Sequence, residues 1–224
     1  MFSIEAMPAQ IDPELVVLLQ RVETATVGHV LHSGFADPDL RAVLPGVRVA
    51  GTAVTLRLPH ADSTLLHHAL GMVRPGDFLV IDRCGDRRHA CWGGVVTVAA
   101  RLAGVVGGVI DGYATDFEEV RRQQMPLWCR GPSPITTKLL GLEGAMNVPV
   151  SVGGVTVEPG DAVLADECGV LVLKPHDARA IAERALAMQD RELVLLDRLQ
   201  AGEKLPAITG ATAKIEARNS GNPA

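Results

Sequence analysis

Two short stretches of this chain carry residues whose types and spacing suit chemistry. The first is Gly93-Gly94-Val95-Val96, a glycine pair opening a run with helical periodicity. The first amides of a helix have no partner within it and carry partial positive charge, so they can hold a carboxylate or a phosphate. Paired glycines let such a ligand approach the backbone closely. A plain turn accounts for the same two glycines equally well. The second stretch is Asp111-Gly112-Tyr113-Ala114-Thr115-Asp116. A carboxylate in such a loop binds Mg²⁺ or Mn²⁺ through oxygen while water fills the remaining positions. The competing role is a helix cap, because Asp116 and Glu119 have capping-box spacing. In isolation, capping accounts for the pair better.

Other constellations are poorer. The lysines are Lys138, Lys174, Lys204 and Lys214, all outside both stretches. A Schiff-base mechanism needs a desolvated lysine at the reacting carbon, so carbon–carbon chemistry here would require a metal to polarise the substrate. Cys84, His89 and Cys91 lack a second ligand pair of matching spacing for zinc. Gly104, Gly107 and Gly108 precede a strand-like run instead of following one, which does not fit a dinucleotide fingerprint.

The elements around these stretches set where they can lie. Residues 78–81 read as a buried strand, 94–102 as a helix, 105–110 as a strand, 116–124 as a helix and 127–129 as a strand. Strand and helix alternating at this spacing predict parallel crossovers, with ligands at the carboxyl ends of the strands. Upstream, residues 13–32 have the pattern of an amphipathic helix, 47–58 of a strand, and Asp62 opens a helix running to Leu70. Downstream, 148–157, 162–165 and 170–173 are short strands punctuated by glycine turns, which suggests a smaller antiparallel region. Asp177 opens a long helix through Leu199. The expected organisation is one α/β domain over residues 1–200, with helices at both ends. A polar tail over 201–224 is expected to be loose or to make contacts between subunits.

Composition narrows the partners. Apolar residues make up 47% and charged residues 21% of 224, enough for one buried core. Aromatics are only 3% and the net charge is -5, which argues against a stacking platform or a broad phosphate-binding face. No direct contact with nucleic acid is expected. No apolar run reaches the roughly 18 residues of a membrane span, and the N-terminus lacks a signal-peptide pattern. Four scattered cysteines read as reduced thiols of a cytoplasmic protein.

Taken together, the motifs resemble those of the RraA-like family, which includes metal-dependent 4-hydroxy-4-methyl-2-oxoglutarate aldolases and RraA regulators of ribonuclease activity. The residues that carry the likeness are Trp92-Gly93-Gly94-Val95-Val96, Gly104 through Gly108, Val109-Ile110-Asp111-Gly112 and Asp116. It continues through Phe78-Leu79-Val80-Ile81-Asp82, Gly85-Asp86, Arg130-Gly131 and Asn147-Val148-Pro149-Val150. Gly153-Gly154-Val155, Pro159-Gly160-Asp161 and Ala165-Asp166-Glu167-Cys168-Gly169-Val170 extend it over roughly residues 22–186. The resemblance implies a swivelling β/β/α fold assembled as a homotrimer or hexamer, with active sites between subunits. It also implies that Gly93, Gly94, Val95 and Val96 offer backbone amides to a pyruvate-like 2-oxo acid, with Thr115 beside them. Asp116 is implied as the ligand of Mg²⁺ or Mn²⁺, which stabilises the enolate formed when a carbon–carbon bond breaks. Aldol cleavage and oxaloacetate decarboxylation share that enolate.

Two positions depart from the family pattern. The enzymes carry arginine immediately before the metal aspartate, where this chain has Thr115, and an acidic residue second in the amide loop, where it has Gly94. Loss of a charge-assisted bidentate contact costs about 3 kcal/mol, the scale seen when an oxyanion donor is removed. Arg83, Arg87, Arg88 and Arg130 are the candidates for a replacement cation. Two readings follow: a divalent-metal lyase with altered substrate, or a non-catalytic binding or regulatory protein.

Overall fold

The computed structural model describes residues 1–220. Along the chain, β1 (Phe2–Ile4), α1 (Pro13–Leu19), α2 (Thr24–Gly28) and β2 (Arg41–Ala42) come before β3 (Val49–Arg57). Then follow α3 (Thr64–Ala69), β4 (Asp77–Asp82), β5 (Ala90–Trp92), α4 (Gly94–Leu102), β6 (Gly107–Ala114), α5 (Phe117–Arg122) and β7 (Leu127–Pro132). The second half adds β8 (Gly144–Met146), β9 (Val150–Val152), β10 (Val155–Val157), β11 (Ala162–Asp166) and β12 (Gly169–Leu173). Three helices end the described chain: α6 (Pro175–Gln200), α7 (Leu205–Thr209) and α8 (Ala211–Asn219).

Strands β3, β4, β6 and β7 lie parallel in that order. Helices α3, α4 and α5 make the crossovers, as the alternating pattern predicts. These strands read as nearly continuous apolar runs because both faces are covered. On one face Val54, Leu56, Leu79, Ile81 and Ile110 pack against Leu65, Leu66, Val96, Ala100 and Val120 of the crossover helices. On the other, Ala53, Phe78, Val80, Val109 and Trp128 meet valines of β9, β10, β11 and β12. The β9–β10 hairpin forms its own two-stranded sheet, while β11 joins the main sheet antiparallel to β3. A third cluster seats α1, α2 and the first half of α6 against Ala50, Leu164 and Leu171. The result is the layered β/β/α architecture with a smaller antiparallel region. No helix among the described residues is long and apolar enough to cross a membrane.

Three expectations need correction. The helix predicted over 13–32 is two helices, broken between Leu19 and Thr24. Asp166, from the end of β11, accepts hydrogen bonds from the Thr24 amide (2.9 Å) and hydroxyl, so α2 starts afresh on a tertiary cap. The strand predicted over 105–110 runs from Gly107 to Ala114, because β5 on one side and Gly131 and Pro132 of β7 on the other pair with its far end at Tyr113 and Ala114. Asp111 and Gly112 therefore belong to a strand. The tail over 201–224 contains α7 and α8, neither with a buried residue, and residues 221–224 lie outside the described chain.

Candidate active site

Pairing of β5 with β6 brings the two chemical stretches together. Trp92 lies beside Ala114, and the Thr115 amide donates to the Trp92 carbonyl at 2.8 Å. The chain then leaves β5 directly into α4 and leaves β6 towards α5, so the two turns emerge side by side. Asp116 turns back in the left-handed region, φ 52° and ψ 42°. Its Oδ2 accepts the Gly94 N–H at 2.8 Å. Asp116 thereby caps α4 across the gap, whereas its own helix α5 receives no side-chain cap from it. Glu119 accepts from Arg122 and Gln123 instead of reaching back. Asp116 and Glu119 therefore do not form a capping box.

The same geometry accounts for both glycines. A Cβ on Gly93 would sit 2.9 Å from Asp116 Oδ2 and 3.1 Å from Thr115 Cγ2; one on Gly94 would sit 3.2 Å from Glu119 Cγ. Neither glycine has a positive φ, so it is close approach, not backbone conformation, that a side chain would disturb: one on Gly93 would displace the Asp116 carboxylate, one on Gly94 would need Glu119 to shift by a few tenths of an ångström. Thr97 fixes the peptide between them. Its amide and its hydroxyl both donate to the Gly93 carbonyl at 2.9 Å, and the hydroxyl accepts from the indole of buried Trp92. A peptide carbonyl and its N–H point in opposite directions. Anchoring the Gly93 oxygen therefore aims the Gly94 N–H at Asp116. The next two amides, Val95 and Val96, meet no acceptor among the described residues. Nothing in the sequence alone marks Thr97. Threonines in helices commonly bond back to their own preceding turn, so one placed a turn after an N-terminal glycine does not stand out.

An open cleft of about 650 Å³ extends from this point, lined by Gly94, Val95, Val98, Ala99, Leu102, Asp116 and Glu119. Hydrogen bonds from Gln123 and Arg122 hold the Glu119 carboxyl below its usual range, against partial desolvation and the Asp116 charge. Oδ1 of Asp116 has only a 3.4 Å contact from the Thr115 hydroxyl. Asp116 thus presents one hard oxygen donor to open space, which suits Mg²⁺ or Mn²⁺ completed by water. Among the described residues no three His, Cys, Asp or Glu side chains converge as a metal cage.

The candidate arginines lie elsewhere. Arg83 is fully buried and donates to the carbonyls of Leu58 (2.7 Å) and His60 (2.6 Å) and to Asp86. Arg130 bridges Asp111 (2.6 Å) and Asp37 (3.1 Å), and Asp111 also accepts the Gly153 amide. Asp111, Arg130 and Gly153 thus clamp the β9–β10 hairpin to the sheet. Arg87 and Arg88 are exposed, and among the described residues neither side chain donates to the cleft. No guanidinium among the described residues lines the cleft beside Thr115.

A family model described as RraA-like, Aldolase/RraA, matches residues 24–172. The chain belongs to the RraA-like family. A relative from Halalkalibacterium halodurans, named "Putative 4-hydroxy-4-methyl-2-oxoglutarate aldolase", is 33% identical over 142 residues, covering 63% of this chain and 67% of that protein. An uncharacterized protein of Methanocaldococcus jannaschii, MJ0644, is 32% identical over 159 residues, covering 70% and 76%. Among solved structures, RraAS2 of Streptomyces coelicolor, described as an unusual member of the RNase ES inhibitor RraA family, superposes with a TM-score of 0.75. It is 33% identical, and the match covers 84% of this chain and 99% of that one. Within this family, the matched region contains β5, α4, β6 and the whole Gly93–Asp116 site.

Proposed function

We propose that this protein is a lyase that cleaves or decarboxylates a pyruvate-type 2-oxo acid with the help of Mg²⁺ or Mn²⁺. The observation that carries the reading is the juxtaposition of Asp116 with the start of α4. A carboxylate with one free oxygen stands beside two amides, Val95 and Val96, that lack acceptors among the described residues. Those amides suit the carboxylate of the 2-oxo acid, since a helix N-terminus favours negative charge. The Thr115 hydroxyl lies beside Asp116 and is a neutral donor for the 2-oxo group or a bound water. A divalent cation held through Asp116 would supply Lewis acidity at the 2-oxo oxygen. The aldolase names among the relatives support the reaction class.

The assay is release of pyruvate from oxaloacetate and from a 4-hydroxy-2-oxo acid, with and without Mg²⁺. Cation-dependent pyruvate from either substrate is expected; none above the uncatalysed rate from both would overturn the reading. The second reading, a non-catalytic regulator like the RNase ES inhibitor family of RraAS2, draws on Thr115 and the absence of a guanidinium at the cleft among the described residues. It predicts no turnover in that assay.

A homotrimer or hexamer is part of the proposal. The second half of α6 and the helices α7 and α8 bury no residue, yet carry Leu193, Val194, Leu196, Leu205 and Ile215 on their surface. A second copy of the chain would cover them.

A further inference from the structure

We propose that Thr97, its hydroxyl locked by the Trp92 indole, is a positioning residue for the cation-binding oxygen of Asp116. The proposal rests on the lyase reading. Both side chains are fully buried within one copy of the chain, and neither lines the cleft. A neighbouring copy that covers the cleft therefore leaves this pair as it is.

A closed circuit of hydrogen bonds joins the pair to Asp116. The Trp92 indole N–H donates to the Thr97 hydroxyl oxygen, and that hydroxyl donates to the Gly93 carbonyl, each at 2.9 Å. Across the same peptide, the Gly94 N–H donates to Asp116 Oδ2 at 2.8 Å. The Thr115 N–H closes the circuit on the Trp92 carbonyl at 2.8 Å. An indole N–H only donates, so it occupies a lone pair of the Thr97 oxygen and leaves the single hydroxyl proton for Gly93. A threonine that bonds back to its own preceding turn without such a partner keeps a free rotor.

The consequence reaches the open oxygen. Two donors on the Gly93 carbonyl, the Thr97 hydroxyl and amide, fix the peptide plane and polarise it, which strengthens the Gly94 N–H as a donor. That N–H grips one oxygen of a planar carboxylate whose backbone is held at φ 52° and ψ 42°. With Oδ2 fixed, Oδ1 has one direction. A cation held by one protein oxygen and water depends on that direction, and the partners that orient a ligand govern affinity as well as the ligand itself.

Calorimetric titration of the full-length protein with Mn²⁺, beside a melting curve, tests this role. Thr97→Val keeps the shape of the side chain and removes the hydroxyl. It is expected to weaken Mn²⁺ binding about fivefold, less than the tenfold or more seen when a ligand's direct partner is lost. It should also melt lower, because the buried indole is left without an acceptor. Thr97→Ser should bind Mn²⁺ like the wild type, whereas Thr97→Ala, which lacks the same methyl but also the hydroxyl, should be weakened like Thr97→Val. Asp62→Asn, outside the cleft, should lower the melting temperature with Mn²⁺ affinity unchanged, which separates lost stability from lost positioning. Hydrogen exchange of the Gly94 amide, read without any cation, should be faster in Thr97→Val and Thr97→Ala than in Thr97→Ser. If the wild type binds Mn²⁺ and Asp116→Asn weakens it, but Thr97→Val and Thr97→Ala bind as tightly as the wild type, Thr97 only supports the fold and the lyase reading stands. Wild-type protein that binds neither Mn²⁺ nor Mg²⁺ would remove both.

Discussion

Asp116 has one observed task, capping α4, and one proposed, holding a divalent cation, and substitutions can split them. Oδ2 caps α4 through Gly94, while Oδ1 remains open. Asparagine keeps an acceptor oxygen and tolerates the left-handed backbone, so Asp116→Asn should melt within a few degrees of the wild type. Its loss of charge should weaken Mn²⁺ binding at least tenfold, about 1.4 kcal/mol. Titration calorimetry alongside a melting curve reads both effects; unchanged Mn²⁺ affinity would rule Asp116 out as the ligand. Gly93→Ala works from the opposite side, since the new methyl would stand 2.9 Å from Oδ2. It should push the carboxylate off Gly94, cost about 1 kcal/mol as a lost helix cap, and weaken Mn²⁺ binding as well. A variant that keeps wild-type stability and affinity would show that the close approach has no role.

At the scale of elements, the connection from β7 to β8 is long, yet it is held firmly beside the start of α3. Asp62 is buried and accepts from the amides of Thr64 (2.8 Å), Leu140 (3.1 Å) and Leu142 (2.8 Å) and from the Thr64 hydroxyl. Burial alone would push its pKa up, but the hydrogen bonds from Thr64, Leu142 and Leu140 prevail and bring it down to about 2. A folded-state pKa below the ordinary value of 3.8 means the stabilisation is present above about pH 4. It is lost as the pH falls towards 2. Asp86 adds to the same acid limb: burial would raise its pKa, but the His89 and Arg88 amides bring it to about 2. Asp62→Asn should therefore cost roughly 2 kcal/mol at neutral pH and flatten the loss of stability between pH 4 and 2. Urea unfolding at several pH values measures both, and a mutant with the wild-type slope would contradict the assignment.

At the scale of the whole molecule, the C-terminal arm contrasts with the body. Helix α6 buries Ala178, Ala182 and Ala185 in its first half and nothing beyond. Helices of five and nine residues with no buried side chain are not stable alone in water. They call for a covering surface, and the proposed oligomer provides one. Leu193→Asp combined with Leu196→Asp should lower the solution mass measured by light scattering, with the body still folded by circular dichroism. A mass unchanged by both aspartates would place the subunit contact elsewhere.

The alternation of strands and crossover helices between residues 78 and 129, and hence a parallel arrangement, was legible in the chain, because local periodicity and glycine turns encode it. So was the position of Gly93 and Asp116 at strand ends, although Asp111 to Ala114 proved to be strand and not loop. Other features depended on partners distant in sequence. The break between α1 and α2 rests on Asp166, 142 positions from Thr24. The extension of β6 rests on three residues of β5, too short to read as a strand, and on the end of β7 at Gly131 and Pro132. Pattern alone gave Asp116 and Glu119 the spacing of a cap, and only β5–β6 pairing brought Asp116 to the start of a different helix. The fate of Arg83 and Arg130 was likewise undecided, since an arginine reads the same whether it faces a ligand or buried carbonyls. Sequence specifies which groups are present and their local conformation; only the packed chain decides which charges meet and which are left free.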